Sequence, residues 1–201
     1  MWHKDDHYRV PRIGFVNKMD RGGADCYGSC DTIRSRLGAR IAVLTVPIGA
    51  SDTFRGVVDL LTREAVYFRG DQGSEVVREP IPEELHDEME LRRAELVEIL
   101  ADVSEPVMIR VLEDEEPTLD ELRAAIREGT LGGAFFPVLG GSALKNAGVQ
   151  PLLDAVVAYL PTPLEAQPIV GHDPNKPSRE VTRKPDPKEP LCALAFKIVT
   201  D

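Results

Sequence analysis

Arg12-Ile13-Gly14-Phe15-Val16 is a short apolar run that stops at Asn17-Lys18-Met19-Asp20, and Arg21-Gly22-Gly23-Ala24-Asp25 then breaks the chain. A near-continuous apolar run followed by turn residues reads as a strand covered on both faces, as in a parallel sheet. This strand sets the class: an α/β fold, in which every later β run must either join the same sheet or build another. In open sheets of this kind ligands gather at the carboxyl ends of the strands, where Asn17, Lys18 and Asp20 stand.

Asn17-Lys18-Met19-Asp20 resembles the guanine-specificity motif Asn-Lys-x-Asp of GTP-binding proteins. The resemblance implies that Asp20 accepts hydrogens from guanine N1–H and N2–H₂, a donor pair adenine lacks. An adenine in its place leaves a carboxylate unpaired, which is costly in a dry site. By the same likeness Asn17 reads the O6 or N7 region and the Lys18 stem lies along the base plane. Four such residues also suit a polar strand end leading into a loop, so the rest of the chain decides.

After the turn, Asp25 predicts a cap for a helix through about Leu37 that Gly38 closes, with Cys26, Cys30, Ile33 and Leu37 in one stripe. From Ile41 the texture turns to β, with runs at 41–49, 56–61, 64–69 and 75–78, which predicts an antiparallel sheet. Pro82 opens a long helix on which Leu85, Met89, Leu96, Leu100 and Val103 keep near a 3.6 period. A second helix is expected over about Glu105–Leu112, and Thr118 with Glu121 marks a capping box for a third. The acidic side chains of 79–121 read as a solvated helix face. Ala134–Leu139 is again β and ends in Gly140-Gly141-Ser142-Ala143-Leu144. Val149, Leu152, Leu153, Val156, Val157 and Leu160 then form an apolar stripe expected to dock on a large surface such as a sheet. The Pro-, Lys- and Asp-rich stretch to about Pro190 reads as a linker or partly ordered loop, and Leu191–Val199 as one more strand.

Ser142-Ala143-Leu144 resembles the Ser-Ala-[Lys/Leu/Phe] loop that GTP-binding proteins place after the next parallel strand, where small residues let backbone approach the base. Asn17 and Ser142 are 125 positions apart. One crossover needs only about 30 residues, so a subdomain is expected between the two strands. An interruption at this point is similar to the elongation factor G family of bacterial translational GTPases. The likeness extends to Pro47-Ile48-Gly49-Ala50, Phe54–Leu61, Gly141–Asn146, Tyr159–Pro163 and Ala193–Lys197, with Leu144 where that family often has Phe.

The resemblance implies five pieces: residues 1–40, the C-terminal part of a GTPase domain (first segment); 41–130, an inserted α+β subdomain; 131–163, the last strand and helix of the GTPase domain; 164–189, a linker; and 190–201, the first strand of a truncated β-barrel domain. It implies Asn17, Lys18, Asp20, Ser142, Ala143 and Leu144 as guanine-binding residues and GTP or GDP as the ligand, with Mg²⁺ in the full-length family. It further implies the ribosome and its stalk protein as partners, a role in translocating tRNA and mRNA, and a cytoplasmic location. Neither Gly-x-x-x-x-Gly-Lys-[Ser/Thr] nor a suitable Asp-x-x-Gly turn for Mg²⁺ and the γ-phosphate occurs in the sequence. The chain is therefore expected to be a fragment that reads the base without hydrolysing GTP, with no catalytic residue of its own. The alternative is a non-catalytic module that docks the ribosomal stalk through the 41–130 subdomain.

A net charge of −10 argues against wrapping nucleic-acid backbone, so no direct sequence-specific nucleic-acid contact is expected. No stretch approaches the roughly 18 apolar residues of a membrane span. Cys26, Cys30 and Cys192 suit reduced thiols, and neither the Cys26/Cys30 pair nor His3/His7 has further ligands at metal-binding spacing.

Overall fold

The computed structural model describes residues 10–165, 169–173, 175–191 and 193, and its first element is strand β1 (Gly14–Val16). Asp25 accepts the Gly28 N–H at 2.9 Å and starts helix α1 (Cys26–Leu37), which Gly38 ends in the left-handed region. Strands β2 (Ile41–Val43) and β3 (Thr45–Ile48) follow with Leu44 alone between them, then β4 (Gly56–Asp59), β5 (Glu64–Arg69) and β6 (Glu75–Glu79). Helices α2 (His86–Ala101), α3 (Glu105–Leu112) and α4 (Leu119–Gly132) come next. At the start of α4 the Thr118 N–H reaches Glu121 at 2.8 Å and the Glu121 N–H reaches the Thr118 hydroxyl at 3.3 Å, the expected reciprocal cap. Strand β7 (Phe136–Gly140) and helix α5 (Val149–Tyr159) complete the first of two compact units, which ends at Leu160.

Strands β1, β7 and β2 lie side by side in that order and all parallel, with Gly14 opposite Val138 and Ile41 opposite Phe136. Strands β3 to β6 make a four-stranded antiparallel sheet in chain order. The chain is thus α/β, with a parallel sheet interrupted in sequence by an antiparallel one. The β texture predicts antiparallel pairing from Ile41 onward; instead Ile41–Val43 joins the parallel sheet and antiparallel pairing begins at Thr45. Every residue from Ile41 to Val46 is buried, so no polar alternation marks the change of partner. Leu44 is the crossing point: its N–H goes to the Val138 carbonyl at 2.9 Å and its carbonyl takes the Leu60 N–H at 3.0 Å. Thr45 then accepts the Gly140 N–H on its hydroxyl at 3.0 Å, tying the second sheet to the end of β7.

The main core joins Val46, Val58 and Leu60 of the antiparallel sheet to Met89, Leu96 and Leu100 of α2 and to Leu122 and Ile126 of α4. Phe135 and Leu139 extend it to the central strand of the parallel sheet. Arg93 of α2 is only 5% exposed, and it donates to the Leu60 and Leu61 carbonyls and to Glu116. Those bonds satisfy a cation that burial would otherwise penalise. Much of the acidic face is paired in the same way, Glu95 with Arg92 and Glu115 and Glu121 with Arg110.

Helix α5 departs from the sequence reading. Leu153 is 58% and Val157 82% exposed, while Ala155 and Tyr159 are the buried positions. The helix turns Leu152, Ala155 and Tyr159 toward the core and packs against α4, where Arg127 donates to the Ala158 and Leu160 carbonyls at 2.9 and 3.2 Å. A tyrosine and an alanine cover a neighbouring helix as well as leucines do, so the most apolar stripe is not the docked one.

The second unit begins at Pro161. The stretch read as linker holds an antiparallel hairpin of β8 (Ile169–Asp173) and β9 (Lys176–Arg183), with Val170 opposite Thr182 and Gly171 opposite Val181. The Asn175 N–H bonds the Asp173 side chain at 2.9 Å in the reversal. β-Branched residues at these positions outweigh the Pro-, Lys- and Asp-rich composition. The first nine residues and all of the expected strand Leu191–Val199 except Leu191 and Ala193 fall outside the described residues.

Candidate functional site

Parallel pairing of β1 with β7 brings the two loops singled out in the sequence to the same sheet edge. Asn17 Oδ1 accepts two backbone donors, the Lys18 N–H at 2.8 Å and the Ala143 N–H at 2.9 Å across the gap. Two N–H groups facing one atom assign it as the oxygen, which leaves the Asn17 amide nitrogen as a donor toward the open side. Lys18 takes a left-handed backbone at φ 67°, and its side chain is exposed. Met19, the unspecified position of the motif, is 1% exposed and packs with Cys26, Phe54, Val57, Val66 and Ala147. The Met19 N–H bonds the Gly141 carbonyl at 3.1 Å. The chain thus alternates, with Asn17 and Asp20 outward and Met19 anchored beneath.

The 141–147 loop is closed on itself. Ser142 and Ala147 exchange N–H···O bonds of 2.8 and 3.0 Å, the Lys145 N–H reaches the Ser142 hydroxyl at 3.3 Å and the Asn146 N–H reaches the Ala143 carbonyl at 3.2 Å. With the Ala143 N–H given to Asn17, the Leu144 N–H is the loop donor that has no acceptor among the described residues. The Leu144 side chain stands clear of the protein. Gly141 is required for space: a Cβ there would lie 2.3 Å from the Ala147 carbonyl oxygen and 2.7 Å from the Phe15 ring.

The buried Ser142 hydroxyl favours the ionised form of Asp20 and holds its carboxyl below the usual aspartate range, against the effect of burial, with smaller help from Lys145 and Arg21. Asp20 is therefore ionised at neutral pH and offers acceptors only. All six residues singled out in the sequence lie on these two loops, and the Ala143 N–H bonded to Asn17 links the loops directly.

Sequence reasoning missed the support beneath. Ser51, in the turn between β3 and β4, donates its N–H to the Met19 carbonyl at 2.8 Å and its hydroxyl to the Arg21 carbonyl at 2.9 Å. Gln150 donates to the Gly73 carbonyl at 3.1 Å, joining the start of α5 to the turn between β5 and β6. The only signal for Ser51 in the sequence was its place beside Gly49-Ala50 in a turn; its partners are thirty residues away. Among the described residues no group of three or more His, Cys, Asp or Glu side chains is placed to hold a metal ion.

Residues 1–162 match the family described as the elongation factor Tu GTP binding domain. The chain is also similar to a protein of Thermus thermophilus of known crystal structure, with a TM-score of 0.71 and 27% identity over 86% of this chain. It spans 27% of the length of that protein.

Proposed function

Because this chain belongs to the elongation factor Tu GTP binding domain family, we propose that Asn17, Lys18, Asp20, Ser142, Ala143 and Leu144 form the guanine-reading half of its nucleotide site. The observation that carries this reading is Asn17 Oδ1 holding the Lys18 and Ala143 N–H groups together, which fixes the two loops in one frame. In that frame the Asp20 carboxylate accepts from N1–H and N2–H₂ of guanine, the Leu144 N–H and the Asn17 amide nitrogen donate to O6 and N7, and the Lys18 stem covers one face of the ring. Adenine offers a lone acceptor where guanine has N1–H, so it meets Asp20 acceptor against acceptor and is rejected.

The family's nucleotide carries Mg²⁺ on its phosphates. No residue of this chain is assigned to that ion or to the phosphates, since neither of the usual loops is in the sequence. The whole protein is proposed to be a translational GTPase of the elongation factor G kind that acts on the ribosome in translocation. The sequence likeness at 47–61 and 141–163 and the sheet lying between β1 and β7 support this reading. The inserted subdomain, expected over 41–130, is proposed to begin at Thr45, because Ile41–Val43 belongs to the parallel sheet. Met108, Ile109, Val111 and Leu112 of α3 are exposed there, which favours it as a docking face for the stalk protein.

Titration of GDP and ADP into the chain, followed by the amide resonances of Asp20 and Ala143, tests the reading. The expected result is GDP binding in the millimolar range with shifts confined to the two loops, weaker ADP binding, and no GTP turnover. Equal response to GDP and ADP would overturn it.

A further inference from the structure

We propose that Ser51 is a positioning residue for Asp20, so that the antiparallel sheet sets how sharply the site separates guanine from hypoxanthine. The assignment rests on the guanine reading given above.

Ser51 holds the Met19–Asp20 peptide, which precedes Asp20 directly, and the Arg21–Gly22 peptide one residue beyond it, while the Arg21 N–H between them goes to the Lys18 carbonyl at 3.0 Å. The Ser51 N–H takes the Met19 carbonyl at 2.8 Å, and its hydroxyl takes the Arg21 carbonyl at 2.9 Å. Ser51 does so from a left-handed backbone at φ 55°, which an L-serine adopts only where its surroundings demand it. Its turn is rigid: Thr53 accepts the Ala50 N–H at 3.1 Å and donates to the Ala50 carbonyl at 2.8 Å, the Phe54 N–H returns to the Ser51 carbonyl at 3.1 Å, and the Arg55 N–H reaches the Ile48 carbonyl at 3.0 Å. Phe54 and Val57, just beyond, cover the Met19 side chain. The 19–21 segment is thus gripped from β7 through Gly141 and from the antiparallel sheet through Ser51.

Hypoxanthine is guanine without the 2-amino group. It offers Asp20 the N1–H alone, so the preference for guanine measures the second carboxylate bond. That bond forms only if the carboxylate plane lies in line with both donors, and this orientation follows the course of the 19–22 backbone that Ser51 ties down. Without the Ser51 hydroxyl the Arg21 carbonyl keeps only the Ala24 N–H at 3.0 Å, a bond within its own turn, so the turn loses its tie to the antiparallel sheet and the second bond suffers before the first.

The test titrates GDP, IDP and ADP into the wild-type chain and the Ser51→Gly and Ser51→Asn variants. Glycine accepts the left-handed backbone without strain but has no hydroxyl, so the relief of strain offsets part of the cost of the lost bond and the added chain freedom, and the fold is retained. Asparagine tolerates the same backbone and brings an amide N–H for the Arg21 carbonyl. Wild type is expected to prefer GDP to IDP about tenfold or more, the scale of one hydrogen bond to a charged group. Ser51→Gly is expected to lower that preference to about threefold or less, the scale of a weakened bond, and Ser51→Asn to restore it. An unchanged GDP-to-IDP ratio in Ser51→Gly, or a fall that Ser51→Asn leaves in place, overturns the assignment alone. A wild-type chain that does not prefer GDP to ADP refutes the guanine reading itself, and this assignment with it.

Discussion

Replacing Gly141 by alanine tests whether the 141–147 loop has the closeness to β1 described above. The added Cβ would stand 2.3 Å from the Ala147 carbonyl oxygen and 2.7 Å from a Phe15 ring carbon. Carbon and oxygen come no closer than about 3.3 Å, so backbone or ring must give way by about 1 Å. Gly141 is not in the left-handed region, and the cost is therefore steric rather than conformational. The Ala147 oxygen is the acceptor for the Ser142 N–H at 2.8 Å, and Ser142 returns the bond at 3.0 Å. Weakening that pair costs about 2 kcal/mol at about 1 kcal/mol per bond. Overpacking against Phe15 adds about 1 kcal/mol or more, for a total of about 3 kcal/mol or more. Gly132→Ala is the control, because a Cβ there meets nothing within 4 Å and the site is helical, so stability should hold or rise by up to about 1 kcal/mol. Urea unfolding at constant slope measures both. Gly141→Ala within about 0.5 kcal/mol of wild type, the range of neutral surface changes, would refute the argument.

Asp20→Asn presents an amide nitrogen where guanine presents its amino group, so GDP binding should fall by about tenfold or more and binding of xanthosine diphosphate, with a carbonyl at that position, should rise; unchanged GDP affinity by titration would contradict the assigned role. Protonating Asp20 replaces an acceptor by a donor, and its pKa is depressed, so GDP binding should persist as pH falls through the ordinary aspartate value of about 3.9 and be lost only below it. A binding midpoint at or above that value, taken from the same amide shifts while the fold is intact, would rule this out. On α5, Val157→Ser should change stability by less than about 0.5 kcal/mol, whereas Tyr159→Ala should cost about 3 kcal/mol or more; the reverse order in urea unfolding would mean that the apolar stripe is the docked face after all.

Where local chemistry decides, the sequence was readable. Asp25 and the Thr118/Glu121 pair start their helices because the bonds they make lie three residues away. The residues proposed to read the base stand on two loops that the structure brings to one end of the sheet, because a motif of that kind is constrained by its ligand as well as by the fold. Partner choice was not legible. From Ile41 to Val46 every side chain is buried, and such a run looks the same in either sheet. On α5 a tyrosine turned inward while Leu153 and Val157 stayed outside, a choice made by the surface of α4 rather than by α5 itself. Ser51 is the clearest case, since a positive φ at serine and two carbonyl partners about 30 residues back leave no mark on composition or period.

That β7 is the shared neighbour of β1 and β2 also sets the order of assembly. Pairings β3–β4, β4–β5 and β5–β6 join consecutive strands, so their loop-closure cost is small and they form early. Both pairings of the parallel sheet wait for residues 136–140, and a chain emerging from its N-terminus carries Asn17 and Asp20 for more than a hundred residues before their second loop exists. The two loops of the proposed nucleotide site therefore meet only after β7 has docked, and GDP bound there should slow unfolding without speeding the steps before that docking.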